Sequence, residues 1–140
     1  SNDDCLEHST KYVRQIVEAV QDDDFVVILH NCGNTGQCTD AMLKTGASAL
    51  HFGNAIDMKR ALEECPDSVL VMGNLDPVGL FKQASPDRVY QETYTLLKET
   101  SCYRNFVISS GCDMPPGVPV ENIEAFFKAL TDYNREMCHV

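Results

Sequence analysis

The sequence has no apolar run approaching the roughly 18 residues that a bilayer-spanning helix needs, and its start lacks the basic-then-apolar pattern of a secretory signal. A cytoplasmic chain is the expectation. Basic residues are scarce: 11 Lys and Arg stand against 21 Asp and Glu, for a formal charge of −10. Nucleic-acid binding requires Lys and Arg clustered to neutralise phosphates, so nucleic acid is excluded as a partner, and repulsion from anionic lipid argues against a membrane. An initiator Met is lacking too. Ser1-Asn2 reads as the remnant of a cleaved tag, and the chain is expected to be a piece of a longer protein.

Cysteine, by contrast, is plentiful, with seven residues at Cys5, Cys32, Cys38, Cys65, Cys102, Cys112 and Cys138. Without an export signal these are expected to be reduced thiols used for metal binding or burial, not a disulfide framework. At 140 residues, 44% hydrophobic and 23% charged, the composition is that of an ordinary soluble domain able to bury a core.

The chain is organised around Phe25-Val26-Val27-Ile28-Leu29-His30-Asn31-Cys32-Gly33-Asn34. A β-branched and aromatic run between Asp22-Asp23-Asp24 and Gly33-Asn34 predicts a buried parallel strand ending at His30. Ahead of it, Leu6, Val13, Ile16, Val17 and Val20 predict an amphipathic helix over about residues 4–21. Thr39 or Asp40 is placed to cap a short helix that Gly46 ends, Ala47 to Phe52 reads as a second strand, and Asp57 opens a helix that Pro66 stops. Ser68 to Met72 is the third expected strand. The turn Gly73-Asn74-Leu75-Asp76-Pro77 closes it, with Asp76 as N-cap and Pro77 as first helical residue of a short helix over about Val78 to Lys82. Ser85-Pro86-Asp87 opens a longer helix to about Thr100, and Asn105 to Ser109 forms the fourth strand. Val120 to about Arg135 closes the chain as a helix, with Ile123, Phe126, Phe127 and Leu130 facing inward.

Four βα units imply an α/β fold with a parallel sheet and right-handed crossovers. Both a small doubly wound sheet and half of an eight-stranded βα barrel fit this pattern. In either, chemistry gathers where the strands end, and there the sequence places His30 and Cys32 after the first strand and Cys112 after the fourth. Three protein ligands with an open position is the catalytic form of a zinc site. Strands one and four of a flat sheet stand about 14 Å apart, from three spacings of roughly 4.7–4.9 Å, so only a strongly curved sheet brings these side chains to one ion.

His30-Asn31-Cys32-Gly33-Asn34, Gly73-Asn74-Leu75-Asp76-Pro77 and Ser110-Gly111-Cys112-Asp113, followed by Pro119-Val120-Glu121-Asn122-Ile123, resemble the C-terminal half of the uroporphyrinogen decarboxylase superfamily. The likeness runs from about residue 24 to near the end and covers about half of a family member. It implies the C-terminal half, four βα units, of a TIM-type (βα)8 barrel, with residues 1–140 as one partial domain. His-x-Cys with a distant Cys is similar to the methylcobamide:coenzyme M methyltransferase branch, whose zinc is held by those three side chains. Decarboxylases lack the His-x-Cys and carry a His where this chain has Cys112. The resemblance therefore implies zinc-dependent transfer of a methyl group from a methylated corrinoid, such as methylcobalamin on a corrinoid protein, to a small-molecule thiol such as coenzyme M. It also implies a missing N-terminal half, with a homo-oligomer as the simplest substitute and little activity in the isolated piece. The rivals are a porphyrin-pathway decarboxylase and a non-catalytic metal- or corrinoid-binding module.

Further pocket candidates are His51, Asn54, Asn74, Asp76 and Asp113. There Asn54 and Asn74 would offer amide contacts to substrate, and plainer readings stand beside the others: a packed histidine at His51, helix caps at Asp57 and Asp76, and a solvated carboxylate at Asp113. Cys38, Cys65 and Cys102 are expected as small buried hydrophobes, with Cys38 also a substitute ligand, and Cys5 and Cys138 as exposed and inert.

Overall fold

The computed structural model describes residues 1–32 and 38–138, so the expected turn at Gly33-Asn34 lies outside the described residues. Four parallel strands, β1 (Ile28–Asn31), β2 (Ala49–Phe52), β3 (Leu70–Leu75) and β4 (Phe106–Ser110), form one sheet in the order β1-β2-β3-β4. A doubly wound sheet reverses its order at a switch point, whereas a barrel adds each strand beside the last. The consecutive order selects the barrel. Ahead of β1 the chain is helical over α1 (Asn2–Cys5), a wide π-type segment Leu6–Thr10, and α2 (Lys11–Val20). Then come α3 (Thr39–Leu43), α4 (Met58–Glu64), a second wide segment Pro77–Lys82, α5 (Pro86–Glu99) and α6 (Val120–Met137). No helix among the described residues is long and apolar enough to cross a membrane.

Register decides which face is filled. Leu29, Leu50, Val71 and Phe106 lie in one row and pack with Val17, Met42 and Leu62 beneath the helices. Leu50, Phe52 and Val71 are fully buried there, and each such side chain contributes about 1.5–3 kcal/mol. The adjacent row, His30, His51, Met72 and Val107, faces the other way, as period-two alternation requires. On that face Ile28 is 52% and Leu70 44% exposed. Among the described residues, helices thus cover one face of the sheet and leave the inner one bare. A second core, with Leu75, Leu80, Phe81, Val89 and Phe126, joins α5, α6 and the Pro77–Lys82 segment.

Several local expectations are corrected. Phe25 and Val26 are exposed and precede β1, which starts at Ile28 and is an edge strand with an uncovered inner face, not a buried one. β3 runs on through Gly73-Asn74-Leu75, which the sequence assigns to a turn, because Asn74 and Leu75 still pair with Ser109 and Ser110. Neither Thr39 nor Asp40 caps α3: the Asn2 side chain does, its Oδ1 accepting from Ala41 N at 3.1 Å. Phe127 is 57% exposed, not inward, and Cys102 is exposed. Cys5 is half-buried against Cys38. Asp57, Asp76 and Ser85 do cap the helices they precede.

Candidate metal centre

The C-terminal ends of β1 and β4, three positions apart in the sheet, meet above its inner face. Cys32 Sγ lies 2.6 Å from His30 Nε2 and 2.9 Å from Cys112 Sγ. Each residue offers one ligand atom and all three atoms fall within 4.8 Å of one another. Flat-sheet spacing would hold strands one and four about 14 Å apart. The sheet is therefore curled enough to bring their ends to one point.

The neighbours orient these donors. His30 Nδ1–H donates to the His51 carbonyl at 3.3 Å, which leaves the Nε2 lone pair facing Cys32. His51 Nε2–H donates to Ser110 O at 2.7 Å, with Ser109 Oγ 3.1 Å away, and Ser110 Oγ donates to Cys112 O at 2.7 Å. The two imidazoles pack at 4.6 Å between centroids. Gly111 N donates to Leu75 O at 2.7 Å, and a Cβ at Gly111 would stand 2.5 Å from Asn54 N. Only glycine lets the β4 end lie this close to the loop after β2, and Cys112 follows it directly.

Contact with Cys112, then burial, then the Cys112 and Asp113 charges push the Cys32 thiol up. A cation reverses that logic, because ligand thiols bind deprotonated and release their protons. Two sulfurs and one imidazole nitrogen form a soft donor set suited to zinc. With bonds of roughly 2.3 Å to sulfur and 2.0–2.1 Å to nitrogen, a tetrahedral ion spaces its donors about 3.5–3.8 Å apart. The contacts of 2.6 and 2.9 Å are tighter than that by about 1 Å, so the set fits after a small outward shift.

Of the other candidates, His51 stands beside the donors. Asn54 is exposed and meets Gly111 through its backbone. Asn74 is buried and spends its amide on the loop after β2, Nδ2 donating to Gly53 O at 3.0 Å and Ile56 O at 2.5 Å, so it is not free for substrate. Asp76 Oδ1 accepts from Val78 N and Gly79 N, each at 2.9 Å, as a cap. Asp113 is exposed and acts on the centre through charge. From the sequence, Ser110 and Gly111 enter only within the Ser110-Gly111-Cys112-Asp113 motif, and they and Ser109 carry no role there; a Ser-Ser-Gly run just before a candidate ligand Cys is the signal that marks them.

The family model of uroporphyrinogen decarboxylase (URO-D) matches residues 1–133. The chain belongs to the uroporphyrinogen decarboxylase family. A uroporphyrinogen decarboxylase of Hydrogenovibrio crunogenus is 32% identical over 133 residues, 92% of this chain and 37% of that protein. The methylcobamide:CoM methyltransferase MtbA of Methanosarcina acetivorans is 26% identical over 126 residues, 90% of this chain and 36% of that protein. In structure, the chain superimposes on a methyltransferase from Methanosarcina mazei with a TM-score of 0.83 and 21% identity, covering 96% of this chain and 38% of the other. That likeness shows the fold: four βα units of the family's TIM-type barrel. The chain spans little more than a third of these relatives' length.

Proposed function

We propose that the chain is the C-terminal half, one partial domain, of a zinc-dependent methyltransferase that moves a methyl group from a methylated corrinoid to a thiol such as coenzyme M. The observation that carries the reading is the convergence of His30, Cys32 and Cys112 at the barrel mouth. Three donors leave a coordination position open, as catalytic zinc requires. Zinc bound there would supply charge that lowers the pKa of a substrate thiol, making it a nucleophile at neutral pH. His30 presents Nε2 because His51 O holds its Nδ1–H, and Ser110 ties the Cys112 backbone in place. The His51 ring walls the same mouth. A corrinoid protein is the partner that delivers the methyl group, in the cytoplasm, and the rest of the barrel comes from a preceding segment or a second copy.

A second reading, decarboxylation of a porphyrinogen, is favoured by the 32% identity to a decarboxylase. The full-length protein, given methylcobalamin and coenzyme M, decides between them. Zinc-dependent demethylation of the corrinoid supports the proposal, and porphyrinogen turnover by metal-free protein overturns it. Gly111→Ala is expected to weaken zinc affinity by about 10–100-fold without loss of helix content, because the added methyl displaces the segment carrying Cys112. Competition with a chromophoric chelator, beside circular dichroism, checks it.

A further inference from the structure

Away from the metal centre, two other thiols are in contact. Cys5, at the end of α1, places its Sγ 3.2 Å from the Sγ of Cys38, the residue before α3. Both are free, Cys38 buried and Cys5 half-buried. Surrounding bonds hold them together independently of the sulfurs. Asn2 Nδ2 donates to Asp40 Oδ2 at 3.2 Å, Ala41 N donates to Asn2 Oδ1 at 3.1 Å, and Thr10 Oγ1 donates to Ala41 O at 2.9 Å. These contacts bracket Cys5 on the N-terminal helix and fall two and three residues after Cys38 on α3. A disulfide bond measures roughly 2.03–2.05 Å, so closure asks for about 1.2 Å of approach. Cys65, by contrast, is buried alone among apolar side chains and its thiol is pushed up to about 11 by burial.

We propose that Cys5 and Cys38 form a thiol–disulfide exchange site that reacts with a low-molecular-weight disulfide and closes into a cross-link between the N-terminal helix and α3. Cys5, the more accessible sulfur, attacks the disulfide RSSR as thiolate. The Cys5–SR bond forms, the RS–SR bond breaks, and the first RS⁻ leaves to take up a proton. Cys38 then loses its proton and attacks the Cys5 sulfur, so that the Cys5–Cys38 bond forms as the second RS⁻ departs and is protonated. Two protein thiols are oxidised and one RSSR is reduced to two RSH. Contact with Cys5, then burial, push the Cys38 thiol up, and burial also keeps RSSR from it, which fits the resolving role.

The cross-link joins residues 33 apart and anchors the start of α3, six residues after Cys32. It requires no metal and stands apart from the methyltransferase reading. The test uses the chain with Cys32→Ser and Cys112→Ser, so that the metal-centre sulfurs contribute nothing, incubated with oxidised glutathione. The expected result is loss of two free thiols and a tandem mass spectrum joining the peptide of Cys5 to that of Cys38. Tm should rise by about ten degrees, as closure of such a loop implies, and fall back on reduction with dithiothreitol. Adding Cys38→Ser, or separately Cys5→Ser at the more exposed position, abolishes the cross-link, while Cys65→Ser does not. A stable glutathione adduct on Cys5 with Cys38 still open to alkylation overturns the proposal. So does a cross-link that forms equally well without Cys38.

Discussion

Cys112→Ala is expected to reduce zinc from about one ion per chain to none after dialysis, with affinity lowered at least about a hundredfold, since even neighbours of a ligand are worth 10–100-fold. Cys112 is half-buried and its side chain small, so its removal should barely change the stability of metal-free protein. Asn74→Ala is the informative contrast. It takes the side-chain donor from the Ile56 carbonyl and one of two donors from the Gly53 carbonyl, which keeps Ile56 N, at a cost of about 1–3 kcal/mol for a buried group, yet it removes no ligand. Elemental analysis beside thermal melts of the two variants separates a metal ligand from a structural amide. Zinc retained in Cys112→Ala, or lost only in Asn74→Ala, would place the ion elsewhere.

The second large effect concerns the bare face of the sheet. Ile28, Leu70 and Val107 are exposed there, and α2 exposes Tyr12, Ile16 and Val20 in a row at four-residue spacing. Among the described residues, β1 and β4 are both unpaired on their outer edges. Exposed apolar faces and open strand edges drive association, so the isolated chain is expected to sediment as dimers or larger species. Ile28→Lys with Val107→Lys, both on the uncovered face, should shift the distribution toward monomer, and joining the chain to the preceding half of its barrel should do so without any substitution. A compact monomer of the unaltered chain in sedimentation velocity contradicts this expectation.

The alternation of strand and helix was legible because its signals are local. Asp57, Asp76 and Ser85 each mark a helix start through hydrogen bonds two or three residues on, and the structure uses all three. The choice between barrel and doubly wound sheet was not written in the periodicity, and strand order settled it. The errors are those of long range. An apolar run says that a strand wants cover but not whether cover exists, so the exposure of Ile28 on the edge strand β1 follows from the half-barrel resemblance and not from the run itself. The cap of α3 comes from Asn2, 39 residues before Ala41 in sequence, beyond any local rule. Gly73-Asn74 looks like a turn but continues β3, since pairing with β4 outweighs turn propensity. At the candidate metal centre the donor types were readable, whereas the His51–Ser110 and Gly111–Asn54 contacts that set them in place depend on how strands two apart in the sheet curl together.

Zinc-edge X-ray absorption of the zinc-loaded protein, before and after addition of coenzyme M, tests most directly whether the centre is an open site that activates a thiol. The account expects two sulfurs and one imidazole nitrogen with a light fourth atom, becoming three sulfurs and one nitrogen when the thiol is added. Four protein ligands that do not change with thiol would contradict it.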